Sequence, residues 1–135
     1  MDRRAVAAWL ERYVEAWRTY DPERIGELFA PDARYRYAPY DEDEDVVRGR
    51  DAIVANWLAP GGDEAARDAP GTWEARYEPW AVEGDRAVVV GETHYRATRE
   101  APARTYHNVF LLEFDAEGRC RLFTEYYMKA PDRSP

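Results

Sequence analysis

The chain has 135 residues, enough for one domain with one real core, because a domain of this size buries about two thirds of the surface its unfolded chain exposes. A composition of 45% hydrophobic and 14% aromatic residues excludes a disordered protein despite 34% charged residues. A formal charge of −8 sets the mean field against nucleic-acid phosphates and anionic membranes, so neither is an expected partner.

The elements follow from hydrophobic period and punctuation. From Arg3 to Tyr20 the apolar positions Val6, Trp9, Leu10, Tyr13, Val14 and Trp17 recur at spacings of three and four, which predicts an amphipathic helix. Asp21 and Pro22 supply an N-cap and a first-turn proline for a short second helix. Its apolar side is Ile25, Leu28 and Phe29, and it is expected to end before Pro31. Arg34-Tyr35-Arg36-Tyr37 alternates with period two and predicts a first strand with both tyrosines on one face. The acidic block Asp41 to Asp45 reads as a solvated loop, because consecutive acids lack the spaced ligands and glycine of a calcium loop.

Val46-Val47 suggests a brief strand. A third helix is expected over Ala52 to Leu58, capped by Asp51, with Ile53, Trp57 and Leu58 as its apolar stripe. Pro60 to Gly71, with Gly61-Gly62 and two prolines, reads as a flexible connection and a candidate rim beside Trp57. Four long strands follow over Thr72 to Val82, Arg86 to Arg99, Thr105 to Phe114 and Arg119 to Met128. Two hairpin turns, Glu83-Gly84-Asp85 and Asp115-Ala116-Glu117-Gly118, join the outer pairs. Three helices and then a meander of strands make an α+β domain with the helices on one face of the sheet.

Cys120 is single, so it forms no internal disulfide, and its place in an alternating strand predicts a buried thiol rather than a nucleophile. A reducing compartment fits. No apolar run approaches the roughly 20 residues that span a bilayer, and Met1-Asp2-Arg3-Arg4 leads into an amphipathic helix rather than a signal segment, so a cytoplasmic location is expected. No HExxH, CxxC, P-loop, Gly-x-Gly-x-x-Gly or Gly-x-Ser-x-Gly pattern occurs; neither a metal nor a cofactor is expected.

Four local patterns in this order carry a family resemblance: Leu28-Phe29-Ala30-Pro31-Asp32-Ala33, Val47-Arg48-Gly49-Arg50-Asp51-Ala52-Ile53, Phe114-Asp115 to Gly118-Arg119, and Glu125-Tyr126-Tyr127. Together with the element order they resemble the nuclear transport factor 2-like superfamily in its SnoaL-like branch, as a single domain over residues 1–135. The resemblance implies a curved antiparallel sheet wrapped around the N-terminal helices, a cystatin-like cone with an internal pocket, and a homodimer through the outer sheet face. Among relatives, the ketosteroid isomerases place an oxyanion-stabilising tyrosine where Tyr13 falls. Their base falls at Tyr37 and their protonated acid at Phe110, so that activity is not expected here.

The same alignment turns Asn108, Phe110 and Leu112 inward, together with Phe123, Glu125 and Tyr127. On the earlier strands polarity turns Trp73, Ala75, Tyr77, Thr93 and Tyr95 inward, and a one-residue bulge would reverse any of these. His94 and His107 then face outward, toward solvent or a dimer partner. A buried carboxylate without a partner has its pKa raised, which is how a general acid or base is tuned, so Glu125 and Tyr13 are the candidate catalytic pair. Glu125 meeting an arginine or tyrosine, or sitting at a wet mouth, is the structural alternative.

Asn108, Tyr37, Trp17, Trp57, Phe110, Phe123 and Tyr127 form the expected ligand-binding set, with Asn108 orienting a carbonyl or holding Glu125. The expected function is a hydrophobic pocket for a small apolar, oxygen-bearing molecule, with isomerase, dehydratase or cyclase chemistry if it catalyses. The alternative is a non-catalytic binding or dimerisation module whose cone is filled by its own aromatic side chains.

Overall fold

The first helix, α1 (Arg3–Thr19), buries the stripe Val6, Trp9, Leu10, Tyr13 and Ala16. Its N-cap is Asp2, whose carboxylate accepts from the Ala5 N–H at 2.8 Å, and it stops at Tyr20 in a left-handed conformation with φ of 50°. Asp21 caps α2 (Pro22–Glu27) by accepting from the Glu23 N–H at 2.9 Å. The computed structural model describes residues 1–42 and 44–132, and Asp43 of the acidic block lies outside the described residues.

Phe29 does not belong to the second helix, contrary to its apolar spacing. It opens β1 (Phe29–Arg36), because the Leu28 carbonyl is taken by two long-range donors, the Trp9 indole at 3.0 Å and the Cys120 N–H at 2.8 Å. Those bonds draw the chain into the sheet before Pro31. The brief strand β2 is Val47–Arg48, one residue later than the sequence suggests. The third helix, α3 (Arg50–Leu58), begins before Asp51; its N-cap is Gly49 at φ of 89°, whose N–H donates to the Ala33 carbonyl at 2.7 Å. Only glycine adopts that conformation cheaply, so Asp51 stands inside the first turn, where its charge favours the helix dipole.

Two single 3₁₀ turns, Pro60–Gly62 and Glu64–Ala66, structure the connection to the meander of β3 (Trp73–Glu83), β4 (Arg86–Tyr95), β5 (Arg104–Phe114) and β6 (Cys120–Lys129). The sheet runs β2-β1-β6-β5-β4-β3. All described neighbours are antiparallel except β1 and β6, which run parallel. The helices therefore cover one face of a six-stranded, mostly antiparallel sheet, the α+β cone that the sequence predicts.

The strand facings match the alternation. Trp73, Thr93, Asn108, Phe110, Leu112 and Phe123 are buried, while His94 and His107 lie on the outer face, both beside Glu92. A bulge between Pro79 and Ala81 flips the parity of β3: Trp80 is 69% exposed, and Val82 returns to the core. At Gly91 a Cβ would lie 2.2 Å from the Arg76 carbonyl oxygen and 2.8 Å from Tyr77 Cα, so close approach of β3 requires glycine there. On the outer face Leu111, Tyr126 and Met128 are exposed amid the charges of β3 and β4.

The core sits between α1 and the sheet. Trp9 lies at its centre, stacked on Tyr13 and edge-on to Phe29 and Phe114. No helix among the described residues is long and apolar enough to cross a membrane.

Candidate functional site

The inward face of β5 changes character along its length. Phe114, Leu112 and Phe110 are buried at the narrow end, and Asn108, Tyr106 and Arg104 then border open space. That space is a cavity of about 400 Å³, closed on its other sides by α1, by α3 and by the Pro60 to Gly71 connection, which contributes Pro60, Ala66 and Asp68. Eight of the ten tyrosines line it. The lining is thus more polar than the hydrophobic pocket expected, with three charged residues among those described, Asp68, Arg104 and Glu125.

A hydrogen-bonded chain crosses three strands and ends on Glu125. Asn108 donates from Nδ2 to Glu125 Oε2 at 2.8 Å, and Thr93 donates from Oγ1 to Asn108 Oδ1 at 3.0 Å. With its only proton committed to Asn108, the Thr93 hydroxyl accepts from Tyr77 across 2.6 Å. Every donor therefore points toward the carboxylate, an arrangement that favours the ionised form. Burial works the other way and is the larger effect, so the Glu125 pKa is pushed up to about 7 from an ordinary 4.5, with the Asn108 bond lowering it in part.

Opposite this chain, the Tyr13 and Tyr35 hydroxyls lie 3.2 Å apart. Burial raises both well above the ordinary phenol value, with further electrostatic contributions from the neighbouring tyrosines and Glu125. Both stay protonated. One proton serves the bond between them, which leaves the second for an acceptor in the cavity. Tyr37 and Tyr77 are raised by burial first and by the Glu125 charge. Tyr37 donates to Asn56 Oδ1.

The cavity thus brings Glu125, Tyr13, Asn108, Tyr37, Trp17, Trp57 and Tyr127 to one wall or another, with Tyr127 56% exposed at the mouth. Phe110 and Phe123 are a correction. They are 1% and 0% exposed and lie beneath the cavity, where Phe123 stacks on Tyr13 at 5.6 Å and on Tyr35 at 4.3 Å; they brace the hydroxyl pair rather than border the space. The family resemblance, with which the alternation agrees, gave their side of the sheet but not how deep they lie.

Tyr35, Asp68 and Arg104 line the cavity outside the expected set. Tyr35 shares its face with Tyr37, and Arg104 has the parity of Asn108; beginning the strand at Arg104 rather than Thr105 would have pointed to it. Asp68 has no such signal. Its place depends on the Trp17 indole, which donates to Oδ2 at 3.0 Å, and on its own N–H, which donates to the Tyr20 hydroxyl at 2.8 Å. Burial raises the Asp68 pKa, while Trp17 and Arg104 lower it. Cys120 is fully buried and its thiol is raised by burial, which suits an inert core group. Among the described residues no group of three or more His, Cys, Asp or Glu is placed to hold a metal ion.

An α+β cone of this kind is the fold of the nuclear transport factor 2-like proteins, and solved structures share it. A ketosteroid isomerase-like protein from Kribbella flavida aligns with a TM-score of 0.66 at 18% identity, covering 99% of this chain and 85% of that one. A nuclear transport factor 2-like protein of unknown function from Burkholderia xenovorans aligns with a TM-score of 0.66 at 19% identity, covering 98% and 88%. At such identities the likeness concerns the fold. The family model for the SnoaL-like domain matches residues 10–123, and the chain belongs to that family. No curated protein matches it.

Proposed function

We propose that the cavity binds a small oxygen-bearing molecule and that Glu125 moves a proton on it, in an isomerisation, dehydration or cyclisation. The observation that carries this reading is a carboxylate with its pKa pushed to about 7, set in the wall of a cavity of about 400 Å³. A cone filled by its own aromatic side chains would leave no such space. Domains of this fold often bind small molecules or act as isomerases, which supports the class of reaction without selecting one.

In this reading Asn108 holds Glu125 through Oε2 and leaves the other carboxylate oxygen for the substrate. As a base, Glu125 takes a proton from a carbon next to a carbonyl. The C–H electron pair moves into the new C=C bond, and the negative charge collects on the oxygen. The Tyr13 and Tyr35 pair donates its free hydroxyl proton as a hydrogen bond to that oxygen, which is where a positioned donor contributes most. Protonated Glu125 then returns the proton to another carbon, or assists departure of a hydroxyl as water. Asn108, Thr93 and Tyr77 act as positioning residues.

The test follows the proton rather than a particular product. A panel of cyclic ketones is screened for ligands that raise the unfolding temperature, and hits are incubated in D₂O with deuterium uptake next to the carbonyl followed by NMR. Wild type is expected to accelerate uptake with a rate that rises through about pH 7 as Glu125 ionises, and Glu125→Gln to lose the acceleration while remaining folded. Equal uptake by the two proteins would remove Glu125 from proton transfer.

A further inference from the structure

Among the described residues Arg104 is the one cation that lines the cavity, in a protein whose formal charge is −8. Its position is set by the sheet. Arg104 pairs in register with Tyr95, both side chains share the inward face, and the guanidinium lies over the Tyr95 ring at 4.4 Å. Stacking of this kind engages the flat face of the group and leaves its edge N–H donors free. One of them, on Nη1, reaches the Pro102 carbonyl at 3.3 Å. Among the described residues no carboxylate lies at ion-pair distance from Arg104. The nearby acid, Asp68, has one carboxylate oxygen held by the Trp17 indole.

Arg104 and Asn108 stand four residues apart on one face of β5, which separates their backbones by about 13 Å at the usual rise of an antiparallel strand, and Asn108 in turn holds Glu125. Between them the walls are aromatic. Trp17, which lines the cavity, is stacked on Trp73 at 3.6 Å, and Tyr106 and Tyr95 meet edge to face. The space therefore has a cationic planar donor at one end, a proton-transferring carboxylate at the other, and flat walls between.

On the reading of Glu125 given above, we infer that the ligand is an elongated, largely planar carboxylic acid, whose carboxylate seats on the edge of the Arg104 guanidinium at the mouth while its carbonyl or hydroxyl end reaches Glu125 and the Tyr13 and Tyr35 pair. A guanidinium matches a carboxylate in a two-bond geometry that a point charge cannot reproduce. Asp68 beside it favours a single anion in one orientation by repelling a second.

The probes are 6-hydroxy-2-naphthoate and its neutral amide, 6-hydroxy-2-naphthamide, which differ at the end assigned to Arg104. Both are titrated by calorimetry into the full chain and into its Arg104→Gln, Arg104→Lys and Glu125→Gln variants. In wild type the acid is expected to bind about tenfold tighter than the amide, the scale of one charge-assisted pair. Arg104→Gln is expected to bring that ratio to about one, and Arg104→Lys to keep part of it. The ratio within each protein is its own control for folding. An acid that binds no tighter than the amide in wild type, or an advantage that survives Arg104→Gln, overturns the anchor. If the amide still binds in those cases and Glu125→Gln alters its affinity, the proton-transfer reading stands without the anchor. Failure of both probes to bind wild type at millimolar concentration overturns the anchor and counts against the pocket itself.

Discussion

Phe110 and Asn108 are two residues apart on β5 and turn the same way, yet Phe110 is packed among the rings of Tyr13, Tyr77 and Phe123 and Asn108 holds a carboxylate in the wall of a cavity. The pair Phe123 and Glu125 on β6 repeats the contrast. Period two decides which side of a sheet a residue faces, and so treats these neighbours alike. What separates them is the cover. At the narrow end Trp9 and Tyr13 of α1 press onto the strands, whereas beside Asn108 and Glu125 a cavity opens, bordered from across by Trp17, Tyr20, α3 and the Pro60 to Gly71 connection. One end is a close-packed core, and the other sets a carboxylate with a raised pKa beside open space.

The largest expected effect breaks the packed end. Phe123→Ala removes a fully buried ring that stacks on Tyr13 and Tyr35 and packs against Phe110, and is expected to cost about 3–5 kcal/mol, read by urea denaturation. The loss should be the same at pH 5 and pH 8, since no group in that stack ionises in between.

Glu125→Gln tests the open end and acts in the other direction. The carboxylate titrates at about 7 in the folded chain against an ordinary 4.5, so between these values the folded state keeps a proton that the unfolded state has released. Stability from this group is therefore full below about pH 4.5, falls as pH rises, and is lost above about pH 7. The glutamine variant lacks that decline. Above pH 7 it should exceed wild type by an amount on the order of 3 kcal/mol, and below pH 4.5 the two should converge. Parallel denaturation profiles across this range would mean that Glu125 is solvated.

The smallest effect sharpens the boundary between the two ends. Thr93→Val keeps the shape of a 3% exposed side chain but strips the hydroxyl that joins Tyr77 to Asn108. A cost of about 1–2 kcal/mol is expected, the penalty of leaving two buried polar groups unpaired. If thermal unfolding is unchanged, water already substitutes for the hydroxyl and the chain does not act as a unit.

Much of this architecture was legible in local signals. The stripe of α1, the Asp21 cap and the long strands of the meander all follow from period and punctuation, which short-range sterics enforce. The facing of Asn108 and Glu125 followed from alternation joined to the family resemblance. Three features were not legible for a common reason, because each depends on a partner far along the chain. Phe29 leaves the helix because Cys120 and Trp9 claim the Leu28 carbonyl; α3 starts at Gly49, whose N–H bonds to Ala33; and Asp68 reaches the cavity through Trp17 and Tyr20.

The sequence by itself determined the α+β class from periodicities of a few residues, and the family and the facing of the candidate residues from local motifs joined to that alternation. Depth was decided only by the tertiary structure: that Phe110 and Phe123 close the core, that Glu125, held by Asn108, borders open space, and that Arg104 lines the same cavity. Alternation has two values. Burial depends on how far a curved sheet stands from the helices that cover it, a distance set by every side chain packed between them.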